Sequence, residues 1–349
     1  MTVLVVLVAL ELTLRWWPTL LGNSFANGAL SRYTTRVGGI YYPDRQLRMV
    51  FMIPNHTATM FANGFVWHHE TDALGFRNRP LHIPADVILL GDSVVYGHGV
   101  EFEHTLGYQL EQKSGLRVAN LGRQGDCAFQ EAYLLTEYLP VFKPRYVVHV
   151  FTPNDIRDLY GYLSDEAMAR FIAQPVERIT YPPRTVPERA LRDRDHKIRQ
   201  RSLGKRAEEE LYLMKLGRWL QHMYRERRAS ALVGVAEAVP AHQRRLDSSD
   251  VATDPASLGW RYTEHAIAYM KYRAAGGGAR LLMTSIASGR QLEILRGIAR
   301  AHGIDYIETT DLGPDSFLPN DGHLPPKGAR LMAELIARHI EQRPTTAAR

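Results

Sequence analysis

Val87-Ile88-Leu89-Leu90 is a short, unbroken apolar run closed by Gly91. A strand without polar alternation meets apolar surface on both faces, which is the pattern of a buried parallel strand with helices above and below it. The motif recurs. A helix is expected from Thr105 to Lys113, then a strand over Arg117–Asn120, a helix over Phe129–Leu139 and a strand over Tyr146–Val150. Later in the chain a helix over Glu264–Ala275 is broken by Gly276-Gly277-Gly278. A strand over Arg280–Thr284, a helix over Leu292–Ala301, a fifth strand over Asp305–Ile307 and a closing helix over Gly328–Ile340 follow. This alternation implies an α/β fold with a five-stranded, mostly parallel sheet covered on both sides. Ligands then belong at the carboxyl ends of the strands.

The flanking segments differ. Residues 18–84 are rich in turn residues and aromatics, and Gly38–Pro43 and Asn63–Trp67 read as short strands of a β-rich lead-in to a domain spanning 85–341. A basic insertion at about 160–255 interrupts the alternation between the third and fourth strands. Within it Pro182-Pro183 and Pro187 mark a loop, and Glu208–Tyr224 is expected to be helical. The net charge of +6 is concentrated between Arg184 and Arg245. Such a stretch is either a solvated, salt-bridged helical face or a surface for phosphate or anionic lipid. It has no zinc-finger, zipper or aromatic-basic motif, so no nucleic-acid partner is expected. The tail, 342–349, is expected to fray. Nothing in the residues sets the oligomeric state.

Val3 to Leu10 is apolar throughout, continues through Leu12 and Leu14, and closes on Arg15-Trp16-Trp17-Pro18. A full span needs about 20 apolar residues; this run is shorter and contains Glu11. No basic residue precedes it, as one would in a secretory leader, while Trp16 and Trp17 suit the headgroup level. Residues 1–17 are therefore expected to anchor the chain at a membrane, the alternative being an amphipathic core helix. Cys127 is the only cysteine, so neither an intrachain disulfide nor a thiolate metal cluster can form. Asp126 beside it reads as a helix N-cap, with Cys127 a small residue in the first turn.

Four loops carry polar residues of chemical interest. Gly91-Asp92-Ser93 follows the first strand. A serine hydroxyl needs a neighbouring base to become a nucleophile, and a strand-to-helix turn both exposes it and aims backbone N–H groups at a reacting carbonyl. The competing reading is a helix cap, and roughly one chain of this length in ten holds this tripeptide by chance. Asn120-Leu121-Gly122-Arg123-Gln124-Gly125 follows the second strand, its glycines permitting close backbone approach to a ligand. Thr152-Pro153-Asn154-Asp155 follows the third, and the Asn154 amide can donate to an oxyanion or simply make a turn. Asn320-Asp321-Gly322-His323 precedes the last helix, where Asp321 can hold His323 in one tautomer. His98, between Gly97 and Gly99, has no evident carboxylate partner and reads as a loop residue.

Taken in order, these blocks resemble the SGNH, or GDSL-type, hydrolase superfamily over about 85–340. Gly91-Asp92-Ser93 with Gly97-His98-Gly99-Val100 matches its first block, Gly125 its second, Asn154 in Pro153-Asn154-Asp155 its third, and Asp321 with His323 its last. Leu74-Gly75-Phe76-Arg77 is similar to the upstream segment of membrane-anchored bacterial members. Many members space the last pair Asp-x-x-His, and Asn320 stands at that aspartate's place; Asp321 satisfies the Asp-x-His spacing of other branches. The resemblance implies a flavodoxin-like three-layer α/β/α sandwich and a triad of Ser93, His323 and Asp321. It further implies an oxyanion hole from the N–H groups of Ser93 and Gly125 and the Asn154 side chain, with no metal or organic cofactor. The expected activity is ester hydrolysis, with deacetylation of a cell-envelope glycan as a specific form and the domain outside the cytoplasm. Acyl transfer to a sugar hydroxyl, or a non-catalytic envelope scaffold, are the alternatives.

Overall fold

A computed structural model describes residues 2–232, 249–309, 312–319 and 321–343. The last six residues of the expected frayed tail lie outside these. The chain divides into two compact units. One holds residues up to 53, then 58–68 and the stretch from 184 through the helix Tyr212–Leu232. The other holds 54–57, 69–183 and the described residues from 249 onward.

In the first unit the apolar N-terminal run is a helix, Thr2–Trp16, of which only Leu14 is buried. Leu14 packs with Phe25 and Ala29 of the helix Gly22–Leu30 and with Tyr212. Glu11, the one acid in the run, accepts from the backbone N–H groups of Tyr212 (3.1 Å) and Leu213 (2.9 Å). It thereby satisfies donors that a helix start leaves open. Among the described residues no single helix is long and apolar enough to cross a membrane; Thr2–Trp16 and Pro18–Leu30 reach that length only as a pair bent by 92°. Strands β1 (Tyr41–Asp44) and β2 (Met49–Met52) pair antiparallel. Strands β3 (Thr57–Ala62) and β4 (Phe65–Glu70), of which residues 58–68 belong to this unit, form a second two-stranded sheet. The expected helix over Glu208–Tyr224 is two helices, Leu203–Glu210 and Tyr212–Leu232, meeting at Leu211.

The second unit contains the parallel sheet: β5 (Val87–Gly91), β6 (Val118–Asn120), β7 (Tyr146–Phe151), β8 (Arg280–Ser285) and β9 (Asp305–Tyr306). Their order is β6-β5-β7-β8-β9, every neighbouring pair parallel, which is the flavodoxin-like arrangement. Val87, Leu89 and Val148 point to a core shared with Leu110 of the helix Leu106–Ser114 and with Met332 and Ile336 of the helix Pro326–Gln342. The alternate residues, Ile88, Leu90 and Val147, are equally buried. By strand alternation they face the opposite layer, where the helices Ala128–Phe142 and Leu258–Gly276 pack on one another. The α/β/α sandwich expected from the alternation is thus present. The helix expected from Glu264 begins earlier, at Leu258, capped by Ser257 accepting from the N–H of Trp260. Gly259 disguised that first turn; it is there because a side chain at this position would come within 2.8 Å of the Tyr160 ring.

Candidate active site

Ser93 opens a single helical turn, Ser93–Tyr96, directly after β5. Asp92 caps it, one carboxylate oxygen accepting from the N–H of Val94 at 2.9 Å. The other oxygen accepts from the Thr152 hydroxyl (2.9 Å) and the Asn154 amide (3.2 Å). Asp92 is therefore both a cap and a bracket joining the loops after β5 and β7. The second loop docks on the first as well. Arg123 N–H donates to the Gly91 carbonyl at 3.4 Å, and Gly122 packs so tightly that a Cβ there would lie 2.4 Å from the backbone nitrogen of Tyr96. Backbone cannot step aside as a side-chain tip can. Gly122→Ala is expected to lose about 1–3 kcal/mol, read as a lowered denaturation midpoint with an unchanged m-value.

The residue expected as the base, His323, comes from the far end of the chain. Leu318 N–H bonds the His323 carbonyl at 2.7 Å, and Gly322 (φ +80°) turns the chain between Asp321 and His323. That turn puts both side chains on one side. His323 Nε2 lies 2.7 Å from Ser93 Oγ, and His323 Nδ1 is hydrogen-bonded to the Asp321 carboxylate. With Nδ1–H donating to Asp321, Nε2 is left as the acceptor for the serine proton. The Asp321 carboxylate is buried while the imidazole is 21% exposed, so the ring is open to an incoming group and water scarcely reaches the carboxylate.

The three expected oxyanion donors, Ser93, Gly125 and Asn154, are placed unequally. Among the described residues, the N–H groups of Ser93 and Gly125 donate to no carbonyl or side chain, as expected for a helix start and an open turn. Gly125 adopts φ +72°. Asn154 stands beside Asp92, but its amide donates both protons, to Asp92 (3.2 Å) and to Asp158 (2.7 Å). An oxyanion would take over the longer of these two bonds.

His98 is not the bystander that its flanking glycines suggest. Gly97 (φ +84°) and Gly99 (φ +76°) turn it inward, and its ring stacks on His323 with centroids 4.1 Å apart and planes 19° from parallel. The Gln124 amide donates to His98 Nδ1 at 2.8 Å, leaving the proton on Nε2, which faces Asp321 Oδ2 at 3.9 Å. Burial and the neighbouring His323 hold His98 down to about 4, so it stays neutral. The loop is held from behind by buried Arg77, which donates to the carbonyls of Tyr96 (3.1 Å), Gly97 (2.7 Å) and Val100 (3.1 Å). Its sequence signal was a histidine one short turn after a candidate nucleophile. His98, Asp321 and His323 offer ligand atoms within 4.8 Å of one another, but His98 Nδ1 is engaged by Gln124 and the two His323 nitrogens by Asp321 and Ser93.

Asp126 does not cap the following helix. It pairs with buried Arg123 at 2.8 Å, and Cys127 takes the cap position, its N–H donating to the Gln130 side chain at 3.1 Å. Beneath the loops lies a buried acidic group that the sequence did not announce. Burial pushes Asp126 up to about 7, and raises Glu131 and Asp155 well above the usual carboxyl range, helped by one another's charge and that of Asp92. The Thr152 hydroxyl contacts Asp92 (2.9 Å) and Asp155 (2.6 Å) with a single proton to give. A protonated Asp155 donating to Thr152, which donates to Asp92, satisfies all three. Glu131 meets His149 Nε2 at 2.8 Å, and desolvation takes that histidine down to about 4.

No protein-family model matches the chain, and no curated protein does. Solved structures do. One is TesA, at 13% identity and TM-score 0.38, covering 73% of this chain and 98% of that one. A protein described as lipolytic, of the G-D-S-L family, from Desulfitobacterium hafniense matches at 13% identity and TM-score 0.35, over 72% of this chain and 97% of that one. A lipase/acylhydrolase from Enterococcus faecalis matches at 16% identity and TM-score 0.38, over 75% and 98%.

Proposed function

We propose that this chain is a serine ester hydrolase of the SGNH type, acting through an acyl-enzyme on Ser93. The observation that carries the reading is the 2.7 Å approach of Ser93 Oγ to an imidazole whose other nitrogen is bonded to a buried carboxylate. Ser93 Oγ attacks the ester carbonyl while its proton passes to His323 Nε2. Asp321 stabilises the imidazolium. The carbonyl oxygen gains the electron pair and is met by the N–H groups of Ser93 and Gly125 and by the Asn154 amide. Collapse expels the alcohol, protonated by His323, and water, deprotonated in turn by His323, releases the acid and restores Ser93. A fluorophosphonate probe is expected to label the wild type and not Ser93→Ala. Equal labelling of the two would end the reading.

The finer assignment is a short acyl ester on an exported glycan, at a membrane surface reached through the N-terminal helix. It is supported by the sequence resemblance and by the exposure of Val3 to Val8. A panel of chromogenic esters of graded acyl length should show the highest kcat/KM at the short end. Incubation with an acyl donor, with and without an oligosaccharide, separates hydrolysis from transfer: free acid in both is the expected outcome, and acylated sugar would reassign the chain as a transferase.

His98 belongs to this mechanism as a positioning residue. A neutral aromatic face over a ring that becomes cationic is worth about 1 kcal/mol. His98→Ala is therefore expected to lower kcat about fivefold to tenfold with KM little changed, and His98→Phe, which keeps a face but not the Nε2 proton, should recover part of that loss. Equal kcat in all three proteins would remove His98 from the mechanism.

A further inference from the structure

The first compact unit contains a second charged site. A cavity of about 340 Å³ is lined by Arg32, Arg36, Lys215 and Arg218, with Tyr212 among its other walls. Glu209 is the one carboxylate among the described lining residues. It is already taken by Arg201, whose Nη1 reaches both its oxygens (2.7 and 2.6 Å), with Arg36 at 3.7 Å. The other three cations donate to backbone carbonyls: Arg32 to Gly38 (3.1 Å), Lys215 to Ala29 (2.7 Å) and Arg218 to Glu208. Those bonds use N–H groups and cancel no charge. Lys215 registers the excess, since burial and the positive charges of Arg15, Arg218 and Arg32 lower its affinity for a proton. The positive charges around this concavity, opposed at Lys215 only by Glu11, favour entry of an anion.

We propose that this cavity binds a phosphate oxyanion. Two guanidinium forks and an ammonium suit its several equivalent oxygens. The headgroup of an anionic phospholipid is the source that the surroundings favour. Arg15, at the end of the exposed apolar helix Thr2–Trp16, bonds the Glu210 carbonyl at 3.2 Å and lies over the ring of Tyr212, a residue of the cavity wall. The exposed Trp16 and Trp17 mark the same end. A helix with its apolar length in the acyl region and its tryptophans at the interface would bring this end to headgroup level. The inference is independent of the chemistry at Ser93.

The test uses the full chain at low ionic strength. Calorimetric titration with inorganic phosphate should show saturable binding, weakened about fivefold for each cation removed in Arg32→Gln and Arg218→Gln. Glu209→Gln, which takes away the competing carboxylate, should tighten it. In parallel, sedimentation with vesicles of phosphatidylcholine alone and of phosphatidylcholine with phosphatidylglycerol separates the sources. A gain with phosphatidylglycerol that free phosphate competes away, and that the double variant Arg32→Gln/Arg218→Gln loses, assigns the headgroup. Saturable phosphate binding without that gain keeps the site and assigns free phosphate. A gain lost in the double variant without measurable binding of phosphate alone assigns the lipid. The proposal is overturned if phosphate does not bind saturably and any phosphatidylglycerol gain survives in a double variant with wild-type thermal melting.

Discussion

His323→Ala is expected to lower kcat for ester hydrolysis by on the order of 10⁴- to 10⁶-fold, the scale on which triad members act in serine hydrolases. The reason is local. Ser93 Oγ has two acceptors within reach, His323 Nε2 at 2.7 Å and Asp92 Oδ2 at 3.1 Å. Asp92 cannot replace the imidazole, because its carboxylate already accepts from Val94, Thr152 and Asn154 and is buried. It would have to give up bonds that hold two loops together in order to take a proton. Asp321→Asn should fall in the same direction, because an asparagine amide turned toward Nδ1 favours the tautomer in which Nε2 carries the proton and cannot accept one. Steady-state kinetics on a short-chain ester measures both. A His323→Ala protein retaining more than about a tenth of wild-type kcat would place the base elsewhere.

Glu131→Gln is expected to stabilise the fold by an amount that grows with pH. Glu131 is fully buried, and desolvation together with the Asp126 and Asp92 charges, only partly offset by Arg123, raises its folded-state pKa well above the ordinary 4.5. A group raised in the folded state contributes its stability below the unfolded pKa and loses it as pH rises toward the folded value. In that window unfolding releases a proton, so the wild type weakens by about 1.4 kcal/mol per pH unit on this account. Glutamine does not titrate and can still bond His149. His149, held down to about 4, contributes with the opposite sign, since unfolding takes up a proton between about 4 and 6.5. That contribution is common to both proteins, and since the Glu131 charge also raises Asp155, the difference reports the ionisation of Glu131 together with the relief it gives Asp155. Urea denaturation of both proteins at about pH 5, 6 and 7 should show a widening gap. A constant gap would mean that Glu131 ionises as an exposed acid does.

Much of this protein was legible in its residues. The parallel sheet could be read because short strand-like segments alternate with helical ones, the buried runs Val87–Leu90 and Tyr146–Val150 among them, and the stretch between each pair is long enough to cross over. Ser93, Gly125, Asn154 and His323 stand out as candidates because each lies on a strand-end loop, and the direction of a parallel sheet brings all such loops to one edge. Helix starts were less visible where a glycine serves packing, as Gly259 does against Tyr160. Cys127, not the expected Asp126, caps the helix after the second strand, because buried Arg123 engages the Asp126 carboxylate more strongly than a backbone N–H would. Tertiary structure alone decided which of 14 histidines touch one another. His98 sits 225 residues before His323 in the chain, yet the two rings stack. It likewise set the protonation of Glu131 and Asp155, because desolvation is a property of everything packed around a group. Local patterns determine which elements form; burial and long-range distance determine what the polar atoms among them can do.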